Sequence, residues 1–83
     1  MQLRYFAWVR ERIGTAEETV VLPAGIVTVA DLLLWLRSRG AGYEAALQAP
    51  DILRVALDQE HVDHSEPLGN AHEVAIFPPM TGG

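Results

Sequence analysis

Eighty-three residues suffice for one small domain. A chain of this size buries only somewhat more than about 60% of the surface its unfolded form exposes, so the 49% of hydrophobic residues can build one modest core. Eleven carboxylates face six arginines and no lysine, a net charge of −5 that repels phosphate backbones and argues against nucleic-acid partners, while the lack of cysteine excludes a disulfide scaffold, a thiolate zinc site, a cysteine nucleophile and a side-chain persulfide.

In chain order, Leu3 to Val9 alternates β-forming residues and reads as a first strand. Leu3, Tyr5, Ala7 and Val9 share one face; Arg4, Phe6 and Trp8 share the other. Arg4 marks the second face as the solvent side, because an unpaired buried charge is costly. Arg10 to Ile13 reads as a helical turn ended by Gly14. Glu18 to Leu22 is a second strand, stopped by Pro23 and Gly25 and close enough to the first for a hairpin.

The clearest helix starts after Thr28, an N-cap with Asp31 three residues on in near capping-box spacing; Val27 and Leu32 are placed for a hydrophobic staple. Val29, Leu32, Leu33 and Leu36 share one helical face, with Leu34 and Trp35 off it. Arg37 and Arg39 suit the C-terminal dipole, and Gly40 or Gly42 should stop the helix. Tyr43 to Gln48 is a short second helix before Pro50. Ile52 to Leu57 is a strand, Asp58-Gln59-Glu60 a turn, His61-Val62 a brief edge strand, and Ser65 to Asn70 a loop. Glu73 to Phe77 is the last strand. The order predicts an α+β fold: a mixed sheet of four to five strands with one main helix across one face. The first and last strands should lie parallel at the sheet centre. The helix face should pack against Leu22, Val55, Leu57, Val74 and Ile76.

Within the domain no residue pattern points to catalysis. His61, His64 and His72 match no zinc spacing and read as surface histidines, so no metal site is expected. Ser38 and Ser65 lack a nucleophile-elbow context. Gly40-Ala41-Gly42 follows a helix and has no Lys-Ser/Thr after it, so it is not a phosphate cradle. Glu17-Glu18 reads as a solvated strand start. No basic region followed by an apolar stretch marks a secretory signal. The run from Val29 to Leu36, broken by Asp31, is too short to span a bilayer. A soluble, cytoplasmic domain without a membrane partner is expected.

The chain's last residues carry the functional signal. We expect a domain over residues 1–77 and an extended tail over 78–83. Pro78 and Pro79 fix their own φ and bias the preceding residues away from helix. Gly82 and Gly83 remove side chains from the last two positions. Such a bare, projecting carboxylate suits entry into a narrow channel of another protein.

The stretch Glu73-Val-Ala-Ile-Phe-Pro-Pro-Met-Thr-Gly-Gly83 resembles the C-terminus of the molybdopterin synthase small-subunit family, the sulfur carriers of molybdenum-cofactor biosynthesis. Tyr5-Phe-Ala-Trp-Val-Arg-Glu-Arg-Ile-Gly14 resembles that family's first strand and turn. Gly69-Asn-Ala-His72 departs from the family's Asp-Gly-Asp-like turn, a change confined to a loop.

The resemblance implies a ubiquitin-like β-grasp fold and a non-catalytic sulfur-donor subunit. Gly83 would be adenylated by an activating enzyme that uses ATP; the carrier itself binds no permanent cofactor. A persulfide sulfur donor would then convert the adenylate to a thiocarboxylate. The tail, Pro78, Pro79, Met80, Thr81 and Gly82, would thread into the synthase large subunit in a heterotetramer. There sulfur would pass to cyclic pyranopterin monophosphate, and a second loaded carrier would complete the dithiolene. Phe6, Trp8, Phe77 and, at the edge, His61 would form one patch docking both the activating enzyme and the large subunit. Competing readings are a thiamine-pathway sulfur carrier with the same tail chemistry, a ubiquitin-like protein modifier, and a plain interaction module.

Overall fold

The computed structural model describes residues 1–79. Among them the elements run β1 (Gln2–Tyr5), α1 (Ala7–Ile13), β2 (Glu17–Thr19), α2 (Val29–Arg37), α3 (Ala41–Ala46), a 3-10 turn (Pro50–Ile52), β3 (Arg54–Leu57), β4 (Glu60–Val62) and β5 (Glu73–Phe77). The strands form one mixed sheet in the order β2-β1-β5-β3-β4. The first and last strands lie side by side near its centre, parallel, with Leu3 opposite Val74 and Tyr5 opposite Ile76. The other three pairings are antiparallel. This is the expected α+β arrangement. No helix among the described residues is long and apolar enough to cross a membrane.

The first strand is shorter than its alternation predicts. It ends at Tyr5, and the chain turns through Phe6 and a positive-φ Ala7 (φ 53) into the two-turn helix α1. Tyr5 and Val9 are both buried, and their spacing of four satisfies a strand face and a helix face equally. Period alone could not separate the two. As a result Trp8 belongs to α1, where it packs against the core with the Arg12 guanidinium 4.3 Å from its ring centre, instead of facing solvent from β1. Gly14 ends α1 in the left-handed region (φ 98), as its lack of Cβ permits.

α2 starts at a complete capping box. Thr28 Oγ1 accepts from Asp31 N at 3.2 Å, and Asp31 Oδ2 accepts from Thr28 N at 3.0 Å. The same carboxylate takes Val27 N at 3.1 Å. Val27 itself stays 58% exposed, so the cap and not a staple fixes the entry. The loop after β4 completes the cap: Val29 N donates to Glu66 O and Ala30 N to His64 O, two amides that no helix bond could satisfy.

Val29, Leu32, Leu33 and Leu36 are buried as their spacing predicts, and they share the core with Val55, Leu57, Val74 and Ile76. Leu22 is only partly buried. Tyr5, Val9, Leu47, Leu53 and Leu68 join the core as well. α2 ends at Arg37 without a glycine stop. Gly40 caps the start of α3, and Gly42 lies inside it, where a Cβ would stand 2.7 Å from Arg12 O. Gly42 therefore permits a close approach between α1 and α3.

Candidate functional site

Strand alternation divides the side chains between two faces. Leu3, Tyr5, Val55, Val74 and Ile76 point into the core; Arg4, Arg54, Ala56, Glu73, Ala75 and Phe77 lie on the other face. Ala56 stands opposite both Ala75 and His61, so His61 shares that face. The two alanines are only 5% and 7% exposed. They form a low floor beside larger neighbours.

Three rings meet along this face. Phe6 packs edge-on to Phe77 at 6.0 Å between centroids, and His61 packs edge-on to Phe77 at 5.2 Å. For Phe6 and Phe77 such geometry matches the ring quadrupoles and adds about 0.5–1.5 kcal/mol beyond area burial. Arg4 lies over Phe6 at 5.8 Å and reaches Glu17 and Glu73 at 3.9 and 3.7 Å. Phe6 keeps 42% of its surface exposed. Of the four residues expected to dock partners, the structure thus gathers Phe6, Phe77 and His61, and it places Trp8 apart on α1.

The backbone holds these rings in register. Phe6 N donates to Ile76 O, while Phe6 O accepts from Val9 N and Arg10 N, so Phe6 is pinned between the sheet and α1. Asp58 and Gln59 both take positive φ (47 and 70), the conformation of a two-residue hairpin turn between β3 and β4. Asp58 Oδ1 then accepts from His72 N and Glu73 N, each at 2.9 Å, and anchors the start of β5. β5 ends at Phe77, inside the ring cluster, and Pro78 and Pro79 follow it outside any strand. Met80, Thr81, Gly82 and Gly83 lie outside the described residues.

A second cluster, on the core side of the sheet, was not legible in the sequence. Glu18, expected to be solvated, turns inward. Its Oε2 accepts from Tyr5 OH at 2.7 Å and Tyr43 OH at 2.6 Å, and its Oε1 pairs with Arg39 Nη1 at 3.0 Å. Burial pushes the Glu18 carboxyl up, but the hydrogen bonds from Tyr43, Tyr5 and Arg39 outweigh it and hold the pKa below the usual range. Burial first, and then the bond to Glu18, push both tyrosine hydroxyls up, so they remain donors. This cluster ties β1, β2 and α3 together and touches none of the three rings. The signal that could have found it is the pair of tyrosines, the only two in the chain, since a buried hydroxyl needs a partner.

The other histidines have separate places. His64 is half-buried with Nε2 donating to Leu53 O at 2.8 Å, and His72 lies at the start of β5. No group of three or more metal-ligating side chains is assembled among the described residues.

A family model described as the ThiS family matches residues 3–83. The chain belongs to the ThiS family. It is 34% identical over 83 residues, covering all of this chain and 99% of the relative, to the molybdopterin synthase sulfur carrier subunit of Escherichia coli. The protein of the same name from Haemophilus influenzae is 30% identical over the same span and coverage. Among solved structures, small archaeal modifier protein 1 of Haloferax volcanii superposes with a TM-score of 0.70 at 27% identity, covering 95% of each chain. The family's ubiquitin-like β-grasp is the fold seen here, with the mixed sheet wrapped on α2.

Proposed function

We propose that this chain is the sulfur-carrier small subunit of a molybdopterin synthase. The observation that carries the reading is the end-to-end likeness to two proteins named as such carriers. The geometry supports it: β5 ends in an exposed ring cluster and passes directly into the Pro-Pro segment that leads to Gly83.

In this reading Gly83 is the reacting residue. Its carboxylate is a poor acyl donor because oxide is a poor leaving group. An activating enzyme joins it to AMP from ATP with release of pyrophosphate. The outer sulfur of a persulfide donor then bonds to the acyl carbon and displaces AMP, giving an acyl disulfide. A second thiol attacks the donor's sulfur, breaks the S–S bond to leave the donor as a disulfide, and frees a thiocarboxylate, whose ionised sulfur is a soft nucleophile. The tail from Pro78 to Gly82 threads into the large subunit, where sulfur passes to cyclic pyranopterin monophosphate. Catalytic side chains belong to that partner, in keeping with a Glu18 cluster that ties secondary-structure elements together among the described residues. Phe6, Phe77 and His61 dock the activating enzyme and the large subunit in turn, so the two complexes exclude each other.

The likeness to an archaeal modifier protein favours a second reading, a tag joined through Gly83 to lysines of other proteins. The intact mass of protein isolated from cells separates the two. One oxygen replaced by sulfur at Gly83 is the result expected of the carrier. Isopeptide adducts without any sulfur-bearing form would overturn it in favour of the modifier.

A further inference from the structure

Resting on that reading, an activated Gly83 acylates any free amine or thiol that reaches it. Lysine and cysteine are the side chains that supply such groups. Neither occurs in the chain, and all six cations are arginines, whose guanidinium stays protonated and is no nucleophile. Lysine is ordinarily among the commonest residues.

Placement makes the pattern specific. β5, which leads into the tail, runs between β1 and β3. The cations in register with it are Arg4, opposite Ala75, and Arg54, opposite Phe77. Opposed Cα atoms stand about 5 Å apart, and the six residues after Phe77 span at most about 20 Å. Both positions therefore lie inside the radius that this length sets about Phe77. An amine at either one would meet the Gly83 carbonyl at an effective concentration on the order of millimolar. The Met1 amine donates to Val20 O at 3.1 Å and sits by the start of β5, at the other end of the strand from Phe77.

We propose that arginine in place of lysine at positions 4 and 54 keeps the activated terminus from being captured by the carrier itself. The charge is retained there, as the contacts of Arg4 with Glu17, Glu73 and Phe6 require; the nucleophile is removed. The avoided step is internal aminolysis. The lysine nitrogen bonds to the acyl carbon, the acyl–oxygen bond to AMP or the acyl–sulfur bond of a thioester breaks, the amine proton passes to solvent, and a lactam closes that carries no sulfur.

The test uses the full chain prepared chemically as a Gly83 thioester, so no activating enzyme is involved. Intact mass is followed at mildly alkaline pH for the natural chain, Arg54→Lys and Arg4→Lys, with circular dichroism checking that each variant is folded. The natural chain should only hydrolyse. Either lysine variant should give a species one water lighter than the hydrolysed acid, about tenfold faster than the natural thioester decays and independent of protein concentration. Lactam or covalent dimer from the natural chain would overturn the proposal, as would hydrolysis of both folded lysine variants at the natural rate without lactam. Failure of the carrier reading would show separately, as absence of sulfur on Gly83 in cells.

Discussion

Glu18 shows how much one side chain can organise. Its carboxylate holds Tyr5 of β1, Tyr43 of α3 and Arg39 from the link after α2. Because its pKa is held below the unfolded value, it stabilises the fold above the unfolded carboxylate range, near pH 4.3, and that stability is lost as pH falls through the lower folded value. Glu18→Gln should therefore melt below the natural protein at pH 7, and the gap should close below about pH 4. Thermal melts across pH 3–7 would check this; a gap independent of pH would refute the charge as its source. Reading Glu17-Glu18 as one solvated pair failed because adjacent strand residues face opposite ways. Glu17 stays on the open side beside Arg4, and Glu18 points in.

At the scale of elements, α2 is the best-specified segment. Its capping box and its buried stripe both follow from local spacing. Leu33→Ala or Leu36→Ala should cost about 2–5 kcal/mol, read as a shift in denaturant midpoint, because each is fully buried against the sheet. Leu34→Ala should cost far less, since Leu34 is 61% exposed. α3 obeys a different constraint. Gly42→Ala would ordinarily favour a helix by about 1 kcal/mol, yet its Cβ would meet Arg12 O at 2.7 Å. We expect net destabilisation by about 1–3 kcal/mol, measured by the same denaturation. An unchanged or raised midpoint would show that α1 and α3 can separate freely.

Over the whole molecule, the sheet presents two unlike faces, and the proposed function puts partner docking on the one away from the core. One face carries the core; the other carries Phe6, Phe77 and His61 at the root of the tail. Phe6→Ala and Phe77→Ala should each weaken binding to the large subunit and to the activating enzyme by about 1–3 kcal/mol, measured by calorimetry with each partner. Unchanged affinity for both would remove the docking patch. Deleting Gly82 and Gly83 should stop sulfur loading and leave the melting temperature where it was. A deletion variant that melts far lower would mean that the tail contributes to the packed domain, and the threading step would have to be abandoned.

Features under local control are readable within single segments. The Thr28–Asp31 cap, the stripe of Val29, Leu32, Leu33 and Leu36, a turn at Asp58-Gln59-Glu60, whose last residue opens β4, and the strand from Glu73 to Phe77 each rest on spacing within one segment. Residue patterns also placed Arg4 and Phe6 on the open face, because charge burial costs the same in any fold. Where spacing is degenerate or the partner is distant, the assembled fold makes the choice. Tyr5 and Val9 suit strand and helix alike until Phe6 is bonded to both Ile76 and α1, and that choice carried Trp8 away from the ring cluster. Gly42 reads as a helix stop until Arg12 O, thirty residues earlier, occupies the space of its missing side chain. Glu18 and its tyrosines join residues whose contact depends on sheet order, which no single segment encodes.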